Sequence, residues 1–354
     1  MVYYADYLGL DKILNAQELE SDKANDHAHE EMLFIITHQA FELWFKQVLF
    51  EVNSVIDLLD KPVVAESAIH LCATRIERVN KIMDLLCNQF SIMETMTPMQ
   101  FMNFRAYLNP ASGFQSLQWR ILERKLGLQE DQRVLKHYTE ALTPEHRQEL
   151  ETATAGSTLF SVIENWLARI PFLQMGDFGI LSSFTKSARE MLDNDRKEVR
   201  ILSEAEKTDP TEALAQIDRN EESLMALLNK ESYDQLVAEG KRRMSLNASL
   251  AVLFITAYQD RPLLQAPFRL LEAIVELDRL VALWRYRHTM MVSRMIGMRV
   301  GTGGSSGHEY LMQTAMRQRI FNDIPALSSY LLPDKLKPVL PREIEERLQF
   351  VLTP

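Results

Sequence analysis

Three features of the sequence predict an all-α fold organised as one domain over residues 1–354. Long apolar segments repeat at steps of three and four residues, the spacing that places side chains on one face of a helix. No segment alternates apolar and polar residues in the way that half-buried strands require. No internal repeat is present, and no linker is long enough to separate two domains.

Composition and charge limit the class of protein. A chain of 354 residues with 46% hydrophobic content can bury a large core. The net charge of −10 argues against a nucleic-acid partner, and no basic run with interleaved aromatic residues is present. The longest apolar runs are too short to span a bilayer, and the first residues lack a signal pattern. We therefore expect a cytoplasmic protein with a small ligand, no membrane partner, and core positions for Cys72 and Cys87.

Residues 1–18 carry three tyrosines ahead of a short amphipathic segment. Tyr3, Tyr4 and Tyr7 combine apolar bodies with polar tips, which is typical of interface residues. We interpret this N-terminus as a docking segment for a neighbouring subunit, although packing on its own domain fits the spacing equally well. The charged residues that follow hold His27 and His29, which we interpret as a solvated loop rather than a metal site.

A long helix is predicted over residues 31–60, where no Pro or Gly interrupts the chain. Its first half is apolar on nearly all sides, which indicates burial. Aromatic side chains and one imidazole recur there at steps of four, three and four: Phe34, His38, Phe41 and Phe45. A histidine therefore lies among aromatic rings on one face of the helix.

Another helix is predicted from Pro98 to about Leu108, with Thr97 as its N-cap. Phe101 and Arg105 lie one turn apart on it, so a cation lies beside aromatic side chains and needs an anion. A protein carboxylate and a ligand both meet that need. Further helices are predicted over 63–92, 114–126, 246–258 and 267–283.

Residues 186–241 are densely charged and helical in composition, with an interruption at Asp209–Pro210. Such a segment is typical of a solvated pair of helices packed on a core. We therefore predict a charged helical hairpin excursion from the domain and assign it no chemistry.

The last long apolar helix leads into an unusual loop. Apolar side chains and one histidine recur along the helix at steps of three and four: Leu277, Val281, Trp284, His288, Met291 and Met295. Gly297 offers a helix stop, and residues 301–307 then hold four of the 12 glycines together with three hydroxyl side chains. Such a backbone permits positive φ and the close approach of a ligand.

Each of these elements alone also fits a structural role. A single histidine on an apolar helix face is commonly a core residue, and a Gly/Ser run is commonly a flexible connector. The loop is not a phosphate-binding P-loop, because no Gly-Lys-Ser/Thr follows it. Two buried-looking histidines on separate helices, His38 and His288, make a shared cofactor pocket an equally good interpretation.

Four segments together carry a far more specific pattern: HEEMLFIITHQAFELWFKQ, FRAYLNPASGFQSLQWR, WRYRHTMMVSRMIG and GTGGSSG. In order and spacing they resemble the tryptophan 2,3-dioxygenase family, and the opening YYADYLGLDKILNAQEL is similar to that family's amino terminus. The resemblance implies an all-helical fold, heme b held without a covalent bond, and a homotetramer arranged as a dimer of dimers. It also implies cleavage of the indole C2–C3 bond of L-tryptophan, or a close indole amino acid, by O2. The product would be N-formyl-L-kynurenine, as in the first step of tryptophan catabolism.

Carried over residue by residue, the resemblance makes His288 the proximal ligand of the heme iron. It places Ser112 at the heme edge near a propionate, and it adds Trp284, Gly301 and Gly303 to the cofactor-binding residues. These roles agree with elementary chemistry, because a neutral imidazole binds iron and a glycine admits a close ligand.

The same resemblance places His38, as the catalytic residue, on the distal side near the indole N–H of the substrate. Whether His38 acts as a base or only orients the substrate stays open. Six residues are implied to bind the substrate: Phe34 and Phe101 at the indole, Arg105 at the carboxylate, Thr302 at the amino-acid end, and Tyr4 and Tyr7 from a neighbouring subunit.

Some positions depart from the family pattern. Arg287 and Ser293 stand where animal members commonly carry Asn and His, and His308-Glu309 follow the glycine loop where Tyr-His is common. These departures concern the tuning of the iron and the choice of indole substrate. Two alternatives therefore stay open, a heme-dependent monooxygenase acting on a tryptophan derivative and a non-catalytic heme sensor.

Overall fold

The computed structural model describes residues 1–130, 133, 138–175, 178–297, 311–314 and 318–349. Over these residues the fold is all-α, as the sequence predicts. The departure is one antiparallel pair of two-residue strands, β1 (Gln174–Met175) and β2 (Phe178–Gly179). Strands of two residues are too short to produce a recognisable alternation in the sequence.

The α-helices of the described residues are numbered in chain order. They are α1 (Tyr4–Leu8), α2 (Leu10–Leu14), α3 (Glu20–Lys23), α4 (Glu30–Leu59), α5 (Glu66–Met93), α6 (Pro98–Arg105), α7 (Leu117–Leu126), α8 (Pro144–Thr154), α9 (Leu159–Ala168), α10 (Ile180–Glu206), α11 (Thr211–Leu228), α12 (Lys230–Ala238), α13 (Leu246–Ala257), α14 (Pro262–Ile296), α15 (Asp323–Ala326) and α16 (Arg342–Leu348).

The chain forms two compact units. The first, which we call the site unit, contains Met1–Val55, Arg75–Leu159 and Glu276–Ile320. The second, which we call the hairpin unit, contains Ile56–Thr74, Phe160–Val275 and Phe321–Pro354. A single catalytic domain over residues 1–354 stays a prediction.

Within the site unit, α4 contributes a fully buried apolar stripe to the core. Val48, Val52 and Val55 are fully buried along it at steps of four and three. Burial of one such side chain contributes about 1.5–3 kcal/mol of hydrophobic stabilisation. This apolar stripe fixes the rotation of α4 about its axis, and so fixes the face on which His38 lies.

The start of α6 is where the sequence predicts it. Thr97 Oγ1 accepts a hydrogen bond from the Gln100 backbone N–H at 3.3 Å, and Gln100 Oε1 accepts one from the Thr97 N–H at 2.8 Å. These reciprocal bonds form a capping box. The α-helix ends at Arg105 and continues as a 3-10 turn over Ala106–Leu108. The predicted extent of the helix is confirmed, and only the type of its last turn differs.

The long helix α14 begins five residues before the predicted start at residue 267. It passes through Pro267, which lacks an N–H and removes one backbone hydrogen bond near the start of the helix. At the other end α14 stops at Ile296, and Gly297 takes a positive φ of 59°. The predicted glycine stop is therefore confirmed.

The charged residues of the hairpin unit form α10, α11 and α12, with a break before Thr211 where Asp209–Pro210 predicts one. Arg196 on α10 forms ion pairs with Asp218 and Glu221 on α11. The buried face of α10 repeats at steps of four along Ile180, Phe184, Ala188 and Leu192. Helix α10 is therefore amphipathic, and the charged helical hairpin excursion over residues 186–241 stays a prediction.

The N-terminal helices α1 and α2 contain no buried residue. Tyr4 and Tyr7 are 72% and 76% exposed. Their predicted docking on a neighbouring subunit stays a prediction. His27 forms an exposed contact with Asp22, with Nδ1 and Oδ1 2.6 Å apart.

Two predictions drawn from composition concern the core and membranes. Cys72 and Cys87 are both buried and free, as predicted. Over the described ranges, no helix combines the length and apolar character that crossing a membrane would require.

Candidate active site

A cavity of about 570 Å³ lies within the site unit. Helices α4, α5, α6, α7 and α14 line it, together with the segment between α6 and α7. Its volume is within the range of about 300–1,000 Å³ that is typical of ligand and cofactor sites. Aromatic side chains dominate its wall: Phe34, Phe41, Phe45, Phe90, Phe101, Phe114, Trp119 and Trp284.

The cavity brings together most of the site residues that the sequence predicts. Seven of them line it: Phe34, His38, Phe101, Arg105, Ser112, Trp284 and His288. Tyr4 and Tyr7 are exposed and do not line it. Gly301, Thr302 and Gly303, with the departing position His308, lie outside the described residues.

His288 lines the cavity from α14, next to two aromatic rings. Its ring centroid lies 5.5 Å from that of Trp284, with the planes 2° apart, and 6.1 Å from that of Phe90. Burial, together with the nearby His38 and Arg120, lowers the pKa of His288 to about 4. The imidazole is therefore neutral at pH 7 and has a lone pair available for a metal ion.

Trp284 lies one turn before His288, at the centre of the aromatic cluster. Its ring centroid is 4.1 Å from that of Trp119 and 5.8 Å from that of Phe41. Its Nε1 is buried and has no hydrogen-bond partner among the residues that the structure describes. Because an unsatisfied buried donor costs about 1–3 kcal/mol, this N–H is suited to donate to an acceptor on a bound group.

His38 lines the cavity from α4, and its accessible surface faces the cavity. Its Nδ1 lies 2.7 Å from the backbone carbonyl oxygen of Phe34. A carbonyl only accepts hydrogen bonds, so Nδ1 carries the hydrogen. Burial lowers the pKa of His38 and outweighs the opposing effects of this hydrogen bond and of Glu42. The ring is therefore neutral at pH 7, and its Nε2 is a hydrogen-bond acceptor.

Helix α6 contributes Phe101 and Arg105 to the cavity wall. The Phe101 ring centroid lies 5.8 Å from that of Phe34 on α4 and 5.3 Å from that of the fully buried Phe104. These three rings pack α6 against α4. One turn beyond Phe101, Arg105 presents a guanidinium group, which can bind a carboxylate with two parallel hydrogen bonds.

Three buried arginine side chains surround the buried Glu123 of α7. Glu123 accepts hydrogen bonds from Arg120 at 3.0 Å, from Arg133 at 2.9 Å and from Arg285 at 2.8 Å. Burial alone would raise the pKa of Glu123, but the three guanidinium groups outweigh burial and hold that pKa well below its usual range. Arg133 also pairs with Glu130 at 3.4 Å. Arg120 and Arg285 line the cavity beside Glu123, so this part of the wall contains two guanidinium groups together with a carboxylate.

Sequence patterns did not reveal this Glu123 cluster. Its only local signal is the three-residue spacing of Arg120 and Glu123, which exposed helical ion pairs share. Arg133 lies 10 residues and Arg285 lies 162 residues after Glu123, and neither separation is a helical spacing. Sequence spacing could not have found them.

Glu42, one turn after His38, is another cavity residue that sequence patterns did not single out. Ser116 Oγ donates to Glu42 Oε1 at 2.6 Å, and Gln118 Nε2 donates to Oε2 at 3.0 Å. The Gln118 amide also donates to the Glu42 backbone carbonyl at 2.8 Å. These bonds hold the start of α7 against α4, beside the segment that contains Ser112.

The two departing residues of α14 do not line the cavity. Arg287 Nη1 donates to the Cys87 backbone carbonyl at 3.3 Å, and Ser293 accepts a backbone hydrogen bond from Gly297. Arg287 is therefore held against α5.

The fold and the cavity define an all-helical protein with a site for a planar cofactor and an aromatic anion. Two neutral histidines and the aromatic wall suit the cofactor, and the cationic groups suit the anion. A family model described as tryptophan 2,3-dioxygenase matches residues 1–331. The chain belongs to this family.

Relatives in bacteria and animals support the assignment over nearly the whole chain. A tryptophan 2,3-dioxygenase of Alteromonas mediterranea is 43% identical over 353 residues, which cover 99% of this chain and 98% of the relative. One of Bdellovibrio bacteriovorus is 40% identical over 352 residues, covering 99% and 98%. One of Rattus norvegicus is 41% identical over 346 residues, covering 95% and 85%.

Proposed function

We propose that this protein is a heme-dependent dioxygenase that cleaves the indole C2–C3 bond of L-tryptophan with O2 and forms N-formyl-L-kynurenine. Membership of the tryptophan 2,3-dioxygenase family supports the reaction class. The observation that carries the proposal is the meeting of His38 and His288, both neutral, in one aromatic cavity. The monooxygenase and sensor alternatives are not favoured by these relationships.

The residues of the cavity fit heme b. His288 offers a neutral imidazole to the iron, and the aromatic side chains around Trp284 offer apolar surface to the macrocycle. Heme b also carries two carboxylates, to which the Trp284 N–H is suited to donate, and Arg120 and Arg285 place guanidinium groups in the same cavity wall. When bound, heme would supply the redox chemistry that a reaction with O2 needs. We propose Ser112, Gly301 and Gly303 as further cofactor contacts.

The substrate would be held by apolar contact at one end and by charge at the other. Phe34 and Phe101 line the part proposed for the indole, whose burial of roughly 200 Å² contributes about 5 kcal/mol before ordering costs. Arg105 would bind the carboxylate, and Thr302 the amino-acid end. The Nε2 of His38 would accept the indole N–H, because the hydrogen bond to the Phe34 carbonyl places the ring hydrogen on Nδ1.

The roles proposed for Tyr4 and Tyr7 depend on the assembly of subunits. Both are exposed in the single chain, and tyrosines at such positions are suited to packing on a partner. We propose a homotetramer, arranged as a dimer of dimers, in which these tyrosines approach the substrate site of a neighbouring subunit. A cytoplasmic location stays a prediction from the sequence.

Labelled oxygen tests the proposed reaction. With ¹⁸O₂ as the oxidant, we expect two labelled atoms in N-formylkynurenine, measured by mass spectrometry of the fresh product. One labelled atom in an oxindole-type product would establish the monooxygenase instead. Heme binding without turnover of tryptophan would establish the sensor.

His38→Ala is expected to lower kcat by less than about 100-fold and to leave measurable turnover. General-base catalysis typically contributes about 10²–10⁴-fold, whereas a hydrogen bond that only orients the substrate contributes less. Because the indole N–H is a very weak acid, we favour orientation. Steady-state turnover should be measured beside heme content and tryptophan affinity, and 1-methyltryptophan should be a poor but genuine substrate of the variant. Complete loss of turnover with heme content and affinity preserved would show that His38 is an essential base.

A further inference from the structure

We propose that Gln100 and Tyr107, which do not line the cavity, are positioning residues that hold Arg105 in register with the substrate carboxylate. The inference rests on the proposed function, in which Arg105 binds that carboxylate. Beyond that function, the inference states which side chains hold α6 in position against α4.

The Gln100 side chain makes two contacts at the start of α6. Its Oε1 closes the capping box by accepting from the Thr97 N–H, and its Nε2 donates to Glu30 Oε1 at 2.6 Å. Glu30 is the first residue of α4, and Phe34 and His38 follow it on that helix one and two turns later. One amide therefore connects the helix that carries Arg105 to the helix that carries His38.

A second tie lies just beyond the other end of α6, on the 3-10 turn Ala106–Leu108, where the Tyr107 hydroxyl donates to Asp26 Oδ2 at 2.7 Å. Asp26 follows the short helix α3, whose backbone is itself bound to α4. The N–H groups of Glu20 and Ser21 donate to the buried Glu31 carboxylate at 2.9 Å and 3.0 Å. Because Glu31 is the second residue of α4, α6 is connected to the first turn of that helix directly through Gln100 and indirectly, through Tyr107 and α3, at its other end.

Arg105 lies between these two ties, two residues before Tyr107. The Phe34 and Phe101 rings also pack α6 against α4, and the hydrogen bonds beside them add directional restraints that the hydrophobic driving force lacks. A functional side chain must be held within about 0.5 Å of its productive geometry. The hydrogen bonds at the two ends of α6 are directional and can supply that precision.

A charge exchange across Gln100 and Glu30 tests the first tie. Gln100→Glu keeps an oxygen that can accept from the Thr97 N–H, but it places a carboxylate against Glu30. We expect the KM for L-tryptophan to rise about tenfold and kcat to change by less than about twofold. A displacement of a functional group by about 1 Å can lower the rate by about a hundredfold, so a tenfold effect is within that limit. Adding Glu30→Gln to Gln100→Glu again places an amide opposite a carboxylate. The amide is then at position 30 and the carboxylate at position 100. The double variant should therefore recover most of the KM, and the Glu30→Gln single variant completes the cycle.

Tyr107→Phe tests the second tie by removing only the hydroxyl group. The KM for L-tryptophan should again rise severalfold, while the inhibition constant of tryptamine, which lacks the carboxylate, should stay within about twofold. General damage to the fold would affect both ligands. If Gln100→Glu does not fold, Tyr107→Phe still tests whether these hydrogen bonds position Arg105.

Gln235→Glu is the matched control for the charge exchange. The Gln235 amide donates to Glu239 Oε1 at 2.9 Å on the exposed surface of α12, so the same chemical change is made away from the cavity. Its KM should equal that of the unmodified protein.

The outcomes separate the inference from the proposed function. A raised KM for tryptophan in Gln100→Glu, its recovery in the double variant and an unchanged tryptamine constant support the inference. An active protein whose KM is unaffected by Gln100→Glu and Tyr107→Phe overturns the inference alone, as does a double variant no better than Gln100→Glu. An unmodified protein that does not convert tryptophan overturns the proposed function and the inference with it.

Discussion

His288→Ala is expected to abolish stable binding of heme b, with an affinity loss greater than about 100-fold. Replacing a residue that only supports a metal ligand costs about 10–100-fold, so loss of the ligand itself should cost more. The pKa of His288 is lowered to about 4, so no proton competes with the iron for the imidazole at pH 7. Alanine offers no such lone pair.

The measurement is the Soret band during titration of the apoprotein with heme. His146→Ala removes an exposed imidazole from α8 and is the matched control, with an unchanged band expected. His288→Gly with added imidazole should recover part of the band, because the small molecule can fill the space left by the side chain. A His288→Ala variant with the spectrum of the unmodified protein would show that another residue binds the iron.

Arg105→Ala is expected to raise the KM for L-tryptophan by about 30- to 5000-fold. Removing one partner of a buried, hydrogen-bonded charge pair costs about 2–5 kcal/mol, and each 1.36 kcal/mol corresponds to a factor of ten. Tryptamine keeps the indole and the amine but lacks the carboxylate. Its inhibition constant should therefore change by less than about threefold.

Two further variants sharpen this measurement. Arg105→Lys keeps the charge but loses the planar fork, so its KM should lie between those of the unmodified protein and Arg105→Ala. Arg124→Ala removes a guanidinium group that pairs with Glu151 on α8, outside the cavity, and should leave the KM unchanged. Equal losses for tryptophan and tryptamine in Arg105→Ala would refute a role at the carboxylate.

Much of the helical framework could be predicted because its signals are local. Thr97 and Pro98 mark the start of α6, Gly297 marks the end of α14, and the uninterrupted residues 31–60 predict α4 to within one residue at each end. Capping bonds and helical periodicity involve residues three or four positions apart, so both can be recognised in the sequence. The start of α14 was predicted wrongly because tertiary packing allows the helix to pass through Pro267.

The sequence by itself determined the helices and, through the resemblance of its motifs, the family and the candidate residues on α4, α6 and α14. Only the tertiary structure decided which distant side chains meet. Glu123 meets Arg285, 162 residues later, and Gln100 meets Glu30, 70 residues earlier. The neutral state of His288 was likewise decided by tertiary structure, because the pKa of an imidazole depends on how much water and charge its neighbours leave around it. Helical periodicity records which side of a helix is buried, but it does not record which other helix covers that side.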